Sequence, residues 1–278
     1  MHLGGRFTYW YYASRFTQIA AVVGLGIFSA AQPINVASWN PILAQPVQWL
    51  QQWGKLALPL LTAIMVLTQW ACYMIGPPWV WSAVIALLNE FREHAFSDDA
   101  SGDPVHHHRV TLFKFVRWKW LFPLRCWRAR FWPWGNWRWP RSGWLVPVCR
   151  SGHTTMSRVP IYLAPDDADF AEGIAGRTWA ANQVVSVADL PSLKGNPSDA
   201  DVTNYAKRSF VSEHWIRRRS INKVFPRSLH GIPVEVKGKL WGVVVLDSRL
   251  ERGIRLERAT RLISVLAATL DKLLERVK

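Results

Sequence analysis

Two stretches without a charged side chain set the first limit on what this chain can fold into. Phe16 to Ile34 reads FTQIAAVVGLGIFSAAQPI, and Leu56 to Gly76 reads LALPLLTAIMVLTQWACYMIG. A helix of about 20 apolar residues crosses a hydrocarbon layer roughly 30 Å thick. Two such stretches so close together predict membrane spans rather than a pair of buried core helices. Neither contains Asp, Glu, Lys, Arg or His, so nothing in them marks a proton relay or a transport path. Ala20 with Gly24, and Gly26 with Ala30, have the small-x-x-x-small spacing that lets helix backbones approach in a bilayer. Two helices enclose no pore alone, and a homo-oligomer is the expected state.

Basic residues orient the pair. Arg6 and Arg15 precede the first span, a strongly basic region follows the second, and residues 35–54 between them carry no charge. Lys and Arg stay on the cytoplasmic side, so both termini are expected there, in a multi-pass protein of the cell inner membrane. PVQWLQQW (46–53) places Trp49 and Trp53 at helical spacing, as an outer-interface loop would. The rival is a signal peptide ending at Ser29-Ala30-Ala31. It leaves the second span and the side of the remainder unchanged.

The formal net charge of the 278 residues is +15, and it is unevenly placed. Residues 1–100 hold four basic and four acidic side chains, whereas residues 109–158 hold eleven Lys or Arg and no acid. Such a block implies an anionic partner. Its densest part, RWKWLFPLRCWRARFWPWGNWRWPRSGW (117–144), contains eight tryptophans. Indole rings settle where lipid meets water, and arginine adds attraction to anionic headgroups. Trp118, Trp120, Trp127, Arg128, Arg130, Trp132, Trp134, Trp137, Trp139 and Arg141 are therefore expected to grip the anionic inner leaflet. Nucleic-acid binding by stacking and phosphate pairing is the less favoured alternative, and a hairpin packing its indoles on its own domain is another. Three cysteines, Cys72, Cys126 and Cys149, fit neither a disulfide framework nor a zinc pattern.

Beyond the spans the pattern is mixed. Residues 79–96 read as an amphipathic helix and 97–104 as a polar linker. VTLFKF (110–115) and WLVPV (144–148) read as strands. A helix is expected over 165–183, a strand over 184–187 and a helix over 201–219. A hairpin follows, with strands 228–236 and 240–248, and the apolar face Leu262, Ile263, Leu266, Leu270, Leu273, Leu274 and Val277 predicts a closing helix over 255–277. This order is α+β with an antiparallel sheet and flanking helices. The expected division is a two-helix transmembrane region, 1–78, and a cytoplasmic domain, 79–278, with the Trp/Arg-rich insertion at 116–144.

EGIAGRTWAANQVVSVADL (172–190), SLHGIPVEVKGKLWGVVVLDS (228–248) and the helix after them resemble a GAF domain over roughly residues 80–278. The resemblance implies a GAF-like sheet that binds a cyclic nucleotide, a tetrapyrrole, haem, a small metabolite or a protein partner. Asn222, Lys223 and Phe225 match part of the cyclic-nucleotide signature of phosphodiesterase GAF domains, but Leu229-His230 stand where its Asp-Glu would be. Cys149 is a candidate for tetrapyrrole attachment. The cysteines do not match those used by GAF-type methionine sulfoxide reductases.

A GAF-like pocket would draw on Trp179, Tyr205, Arg208, Ser228 and His230, with aromatic faces for a ring and Arg208 for an anion. His106-His107-His108 lacks further ligands at metal spacing, and Arg217-Arg218-Arg219 reads as a solvated helix end. No nucleophile elbow or phosphate loop is present, so neither an enzyme nor a bound cofactor is expected. The architecture resembles bacterial anti-phage effectors in which a ligand-binding domain drives two membrane helices to perturb the bilayer. The expected ligand is then a nucleotide second messenger, with a cyclic nucleotide among the candidates. The alternative is a membrane-tethered adaptor that binds a protein.

Overall fold

The computed structural model describes residues 3–37, 39–96, 108–117, 143–151, 162–164, 169, 171–195, 197–220 and 225–277. The chain divides into two compact units, one chiefly of residues 5–80 and the other chiefly of residues 81–275.

The first unit is a helical pair, α1 (Leu3–Ala31) and α2 (Pro41–Ile75). Both are long and apolar enough to cross a membrane. Asn40 starts α2 by accepting the Ile42 N–H at 3.1 Å, with Pro41 in the first turn, where its missing N–H costs nothing. This cap corrects the expectation of a loop over 46–53, which forms part of α2 and continues into the apolar stretch. Trp49 and Trp53 stand one turn apart on it with ring centroids 6.4 Å apart. Gln51 donates to the Ala31 and Ile34 carbonyls at 2.9 and 2.8 Å, satisfying acceptors at the end of α1. Gln18 donates to Gln69 at 2.8 Å across the pair. Most apolar side chains point outward, as with Phe16, 75% exposed, and Leu67, 62% exposed.

The second unit is α+β. Its elements are α3 (Pro78–Ala95, entering from the first unit), β1 (His108–Val116), β2 (Trp144–Ser151), β3 (Tyr162–Leu163), α4 (Gly173–Ala181), β4 (Val185–Val187), α5 (Asp199–Ser209), α6 (Glu213–Ser220), β5 (Ser228–Val236), β6 (Lys239–Ser248) and α7 (Leu256–Leu274). The six-stranded sheet runs β3-β2-β1-β6-β5-β4 with every neighbouring pair antiparallel. Phe113, Leu145, Leu229, Val243 and Val245 pack on one face against Ile174, Val202, Tyr205 and Ile216 of α4, α5 and α6. Alternation along the strands sends the buried Val110, Leu112, Ile232, Val244 and Leu246 to the other face. There α7 lies against β5, and its Ile263, Leu266 and Leu270 face Leu87, Leu88 and Phe91 of α3 across an apolar cleft.

Two local devices fix this arrangement. Lys237 and Gly238 join β5 to β6 with φ of 54° and 69°, the positive values that a tight hairpin turn of matching twist requires. The single helix expected over 201–219 is two helices. Phe210 ends α5 in the left-handed conformation, φ 57° and ψ 34°, and donates its N–H to Ala206. The Ser212 carbonyl then opens α6 by accepting from Trp215 and Ile216 at 3.1 and 3.2 Å.

Candidate ligand site

The five side chains singled out from the sequence fall on two sides of the sheet. Trp179 of α4 stacks on Phe115 of β1, centroids 4.4 Å apart and planes 8° from parallel. Tyr205 of α5 is buried, and its hydroxyl donates to the Pro226 carbonyl at 2.9 Å. Burial, with lesser effects from Tyr162 and Asp247, raises its phenol above the ordinary value. Arg208 clamps the end of β4, donating to the Ala188 and Asp189 carbonyls at 2.6 and 2.7 Å. These three belong to the α4–α6 side.

Ser228 and His230 alternate with Leu229 and Gly231 and so occupy the opposite face of β5. The Ser228 hydroxyl donates to the Leu250 carbonyl at 2.9 Å. His230 is 1% exposed, with Nδ1 2.6 Å from the Ser186 hydroxyl and its buried Nε2 without a hydrogen-bond partner. Burial lowers its pKa to about 4, so the imidazole is neutral at physiological pH.

Other sequence candidates take structural positions. Cys149 is buried in β2, and burial pushes its thiol well up, which makes it inert. The ring of His108 stacks on Phe96 at 4.4 Å, with Nδ1 3.0 Å from the Ser248 hydroxyl. Arg217 pairs with Asp199 at 2.6 Å and Glu213 at 3.8 Å. The ten membrane-interface candidates between Trp118 and Arg141, together with His106, His107, Asn222 and Lys223, lie outside the described residues.

A polar cluster that the sequence did not single out sits at one end of the α4–α6 face. Arg109 pairs with Asp247 across β1 and β6, and Thr111 pairs with Arg150 across β1 and β2. Their side chains therefore share this face. Arg109 engages Asp247 through Nε and Nη2, while Arg150 reaches the other carboxylate oxygen only at 3.8 Å. Arg249 follows two residues after Asp247, and burial, then Arg109, lowers its pKa against the opposing pull of Asp247. The expected strands, 110–115 and 144–148, stopped short of both Arg109 and Arg150. Extending them to 108–116 and 144–151 is what brings the arginines together.

Comparison with protein-family models gives no match, and none was found among curated proteins. Solved structures do resemble the chain. The GAF domain region of a Geobacter sulfurreducens protein is 15% identical, covering 71% of this chain and 94% of that one with a TM-score of 0.40. The free methionine-R-sulfoxide reductase of Neisseria meningitidis is 18% identical, covering 74% and 90%, TM-score 0.36. The type II free methionine-R-sulfoxide reductase of Thermoplasma acidophilum is 13% identical, covering 72% and 95%, TM-score 0.38. None of these likenesses carries a residue role, an activity or a ligand to this chain.

Proposed function

We propose that this protein is a membrane-anchored sensor. In this reading its GAF-like domain binds a small ligand, with a nucleotide second messenger the first class to test, and binding rearranges or oligomerises the two apolar helices. The supporting observation is the union in one chain of outward-facing apolar helices with an α+β domain. Exposed apolar area of this extent is costly in water and suits lipid. Trp132, Trp134, Trp137 and Trp139 add a second hold on the inner leaflet. A ligand drives the helices only by favouring one arrangement over another. The output is perturbation of the bilayer, as in anti-phage effectors.

The test is thermal unfolding of the full chain in nanodiscs against cyclic mono-, di- and oligonucleotides, with linear nucleotides as controls. A ligand at about 100 times its Kd stabilises its protein by roughly 2.7 kcal/mol. A specific shift, with loss of membrane potential in cells that contain both ligand and protein, supports the effector reading. A flat panel rejects the nucleotide.

A second reading has its own observation. Tyr205, Arg208, Ser228 and His230 already spend polar atoms on internal hydrogen bonds, as in a domain that binds a protein instead of a small molecule. Harmless expression and stoichiometric co-purification of one partner would favour that adaptor.

A further inference from the structure

The two apolar helices are held together at both ends. Gln18 donates to Gln69 at 2.8 Å near one end, where the Cys72 thiol also donates to the Tyr11 carbonyl at 3.9 Å. At the other end, Gln51 donates to the Ala31 and Ile34 carbonyls at 2.9 and 2.8 Å. Between them, a Cβ added at Gly24 would touch Leu61 at 3.0 Å. These contacts make α1 and α2 antiparallel and put the residues named at matching heights. Groups that favour a lipid–water boundary gather at both ends. At the first, Tyr12 of α1 and Trp70 and Tyr73 of α2 are exposed. Arg15, also exposed, lies beside them with its guanidinium 5.5 Å from the centre of the Tyr11 ring. At the second, Gln32 ends the turn after α1, and Gln52, Trp53 and Lys55 of α2 are exposed.

Between these ends, residues 16–31 and 56–69 contain no charged residue, Trp or Tyr. Ile19, Val23, Ile27, Leu60 and Leu67 point outward there. The hydroxyls of Thr17, Thr62 and Thr68 donate to the carbonyls four residues back, at 3.0, 2.8 and 2.8 Å, so these donors need no water. At about 1.5 Å per residue, Arg15 to Ala31 rises about 24 Å and Trp53 to Trp70 about 26 Å. Trp and Tyr settle at headgroup depth, and Arg and Lys reach towards it. A typical hydrocarbon core is about 30 Å thick. We infer that the helix pair fits a bilayer whose hydrocarbon layer is about 25 Å thick, several Å thinner than average. This rests on the membrane-anchor reading and gives its lipid partner a thickness. Tilting cannot relieve a band that is too short, because tilt lowers its height further. In a thicker bilayer the mismatch is relieved by local thinning and by clustering of copies in the thinned lipid. Bilayer thickness thus acts on the same self-association that the ligand is proposed to control.

The experiment reconstitutes the full chain, as donor- and acceptor-labelled copies, at one protein-to-lipid ratio. The vesicles are phosphatidylcholines whose monounsaturated acyl chains lengthen from fourteen to twenty-two carbons. Energy transfer between copies is expected to be lowest in the thin bilayers and to rise severalfold towards the thickest. Gln52→Leu combined with Lys55→Leu extends the apolar band towards Trp49 and shifts the minimum to longer acyl chains. Lys55→Gln, which keeps a polar group at that height, leaves the minimum in place. Extraction of the unaltered chain by alkaline carbonate from vesicles of every thickness rejects the membrane anchor, and this fit with it. Retention in all vesicles, with transfer that is flat or lowest in the thickest, overturns the fit and leaves the anchor standing. The series on the unaltered chain decides the matter even where the paired variant fails to insert.

Discussion

His230 occupies a strand position where burial decides its protonation. Its Nδ1 is committed to Ser186, and no hydrogen-bond partner meets Nε2. A folded-state pKa of about 4, below the ordinary histidine value of 6.5, means the unfolded chain binds the extra proton first as pH falls. The contribution is therefore fully present above pH 6.5 and is lost progressively as pH drops towards 4. At about 1.4 kcal/mol per pH unit, the loss approaches 3 kcal/mol across the window. His230→Gln is expected to flatten the acid limb between pH 6.5 and 5 in chemical denaturation. An unchanged slope would place the acid sensitivity elsewhere. Lys114 follows the same rule at the alkaline end: burial lowers its pKa to about 8, so its contribution to stability rises as pH increases beyond that value.

Between elements, α4 fits closely on β5. A Cβ added at Gly231 would meet the Thr178 hydroxyl at 2.1 Å, with the Thr178 Cβ at 3.1 Å and the Ile174 carbonyl at 3.4 Å. No exposed side chain can swing away, because Thr178 is itself fully buried. Overpacking of this kind typically costs about 1–3 kcal/mol. Gly231→Ala should lower the denaturant midpoint accordingly, and Thr178→Ala in the same chain should return part of the loss. Full additivity of the two changes would show that the contact is not the cause.

For the whole molecule, the proposed anchor makes a partition prediction. The full chain should resist extraction from membranes by alkaline carbonate, because two apolar helices hold it independently of charge. Replacing Trp132, Trp134, Trp137 and Trp139 together by Ala should leave that resistance intact. It should increase protease access to the domain in anionic vesicles, with a smaller change in neutral ones. Extraction of the unaltered chain by carbonate would reject the anchor. Equal protease access in both chains would reject only the role of the tryptophans.

The sequence alone determined the two long apolar helices, the α+β order, the Lys237-Gly238 hairpin and the closing helix, because each is written in local periodicity or turn chemistry. It misplaced boundaries where a contact between elements overrides the pattern. The 201–219 helix breaks because Phe210 turns left-handed and its carbonyl accepts the Gly173 N–H at 2.6 Å, a contact invisible to local spacing. Only the tertiary structure divided the five chosen pocket residues between two faces of the sheet. It also gathered Arg109, Arg150 and Asp247, which lie far apart in the chain, from 109 to 247. Strand register decides which distant charges meet, and register is set by packing across the whole sheet.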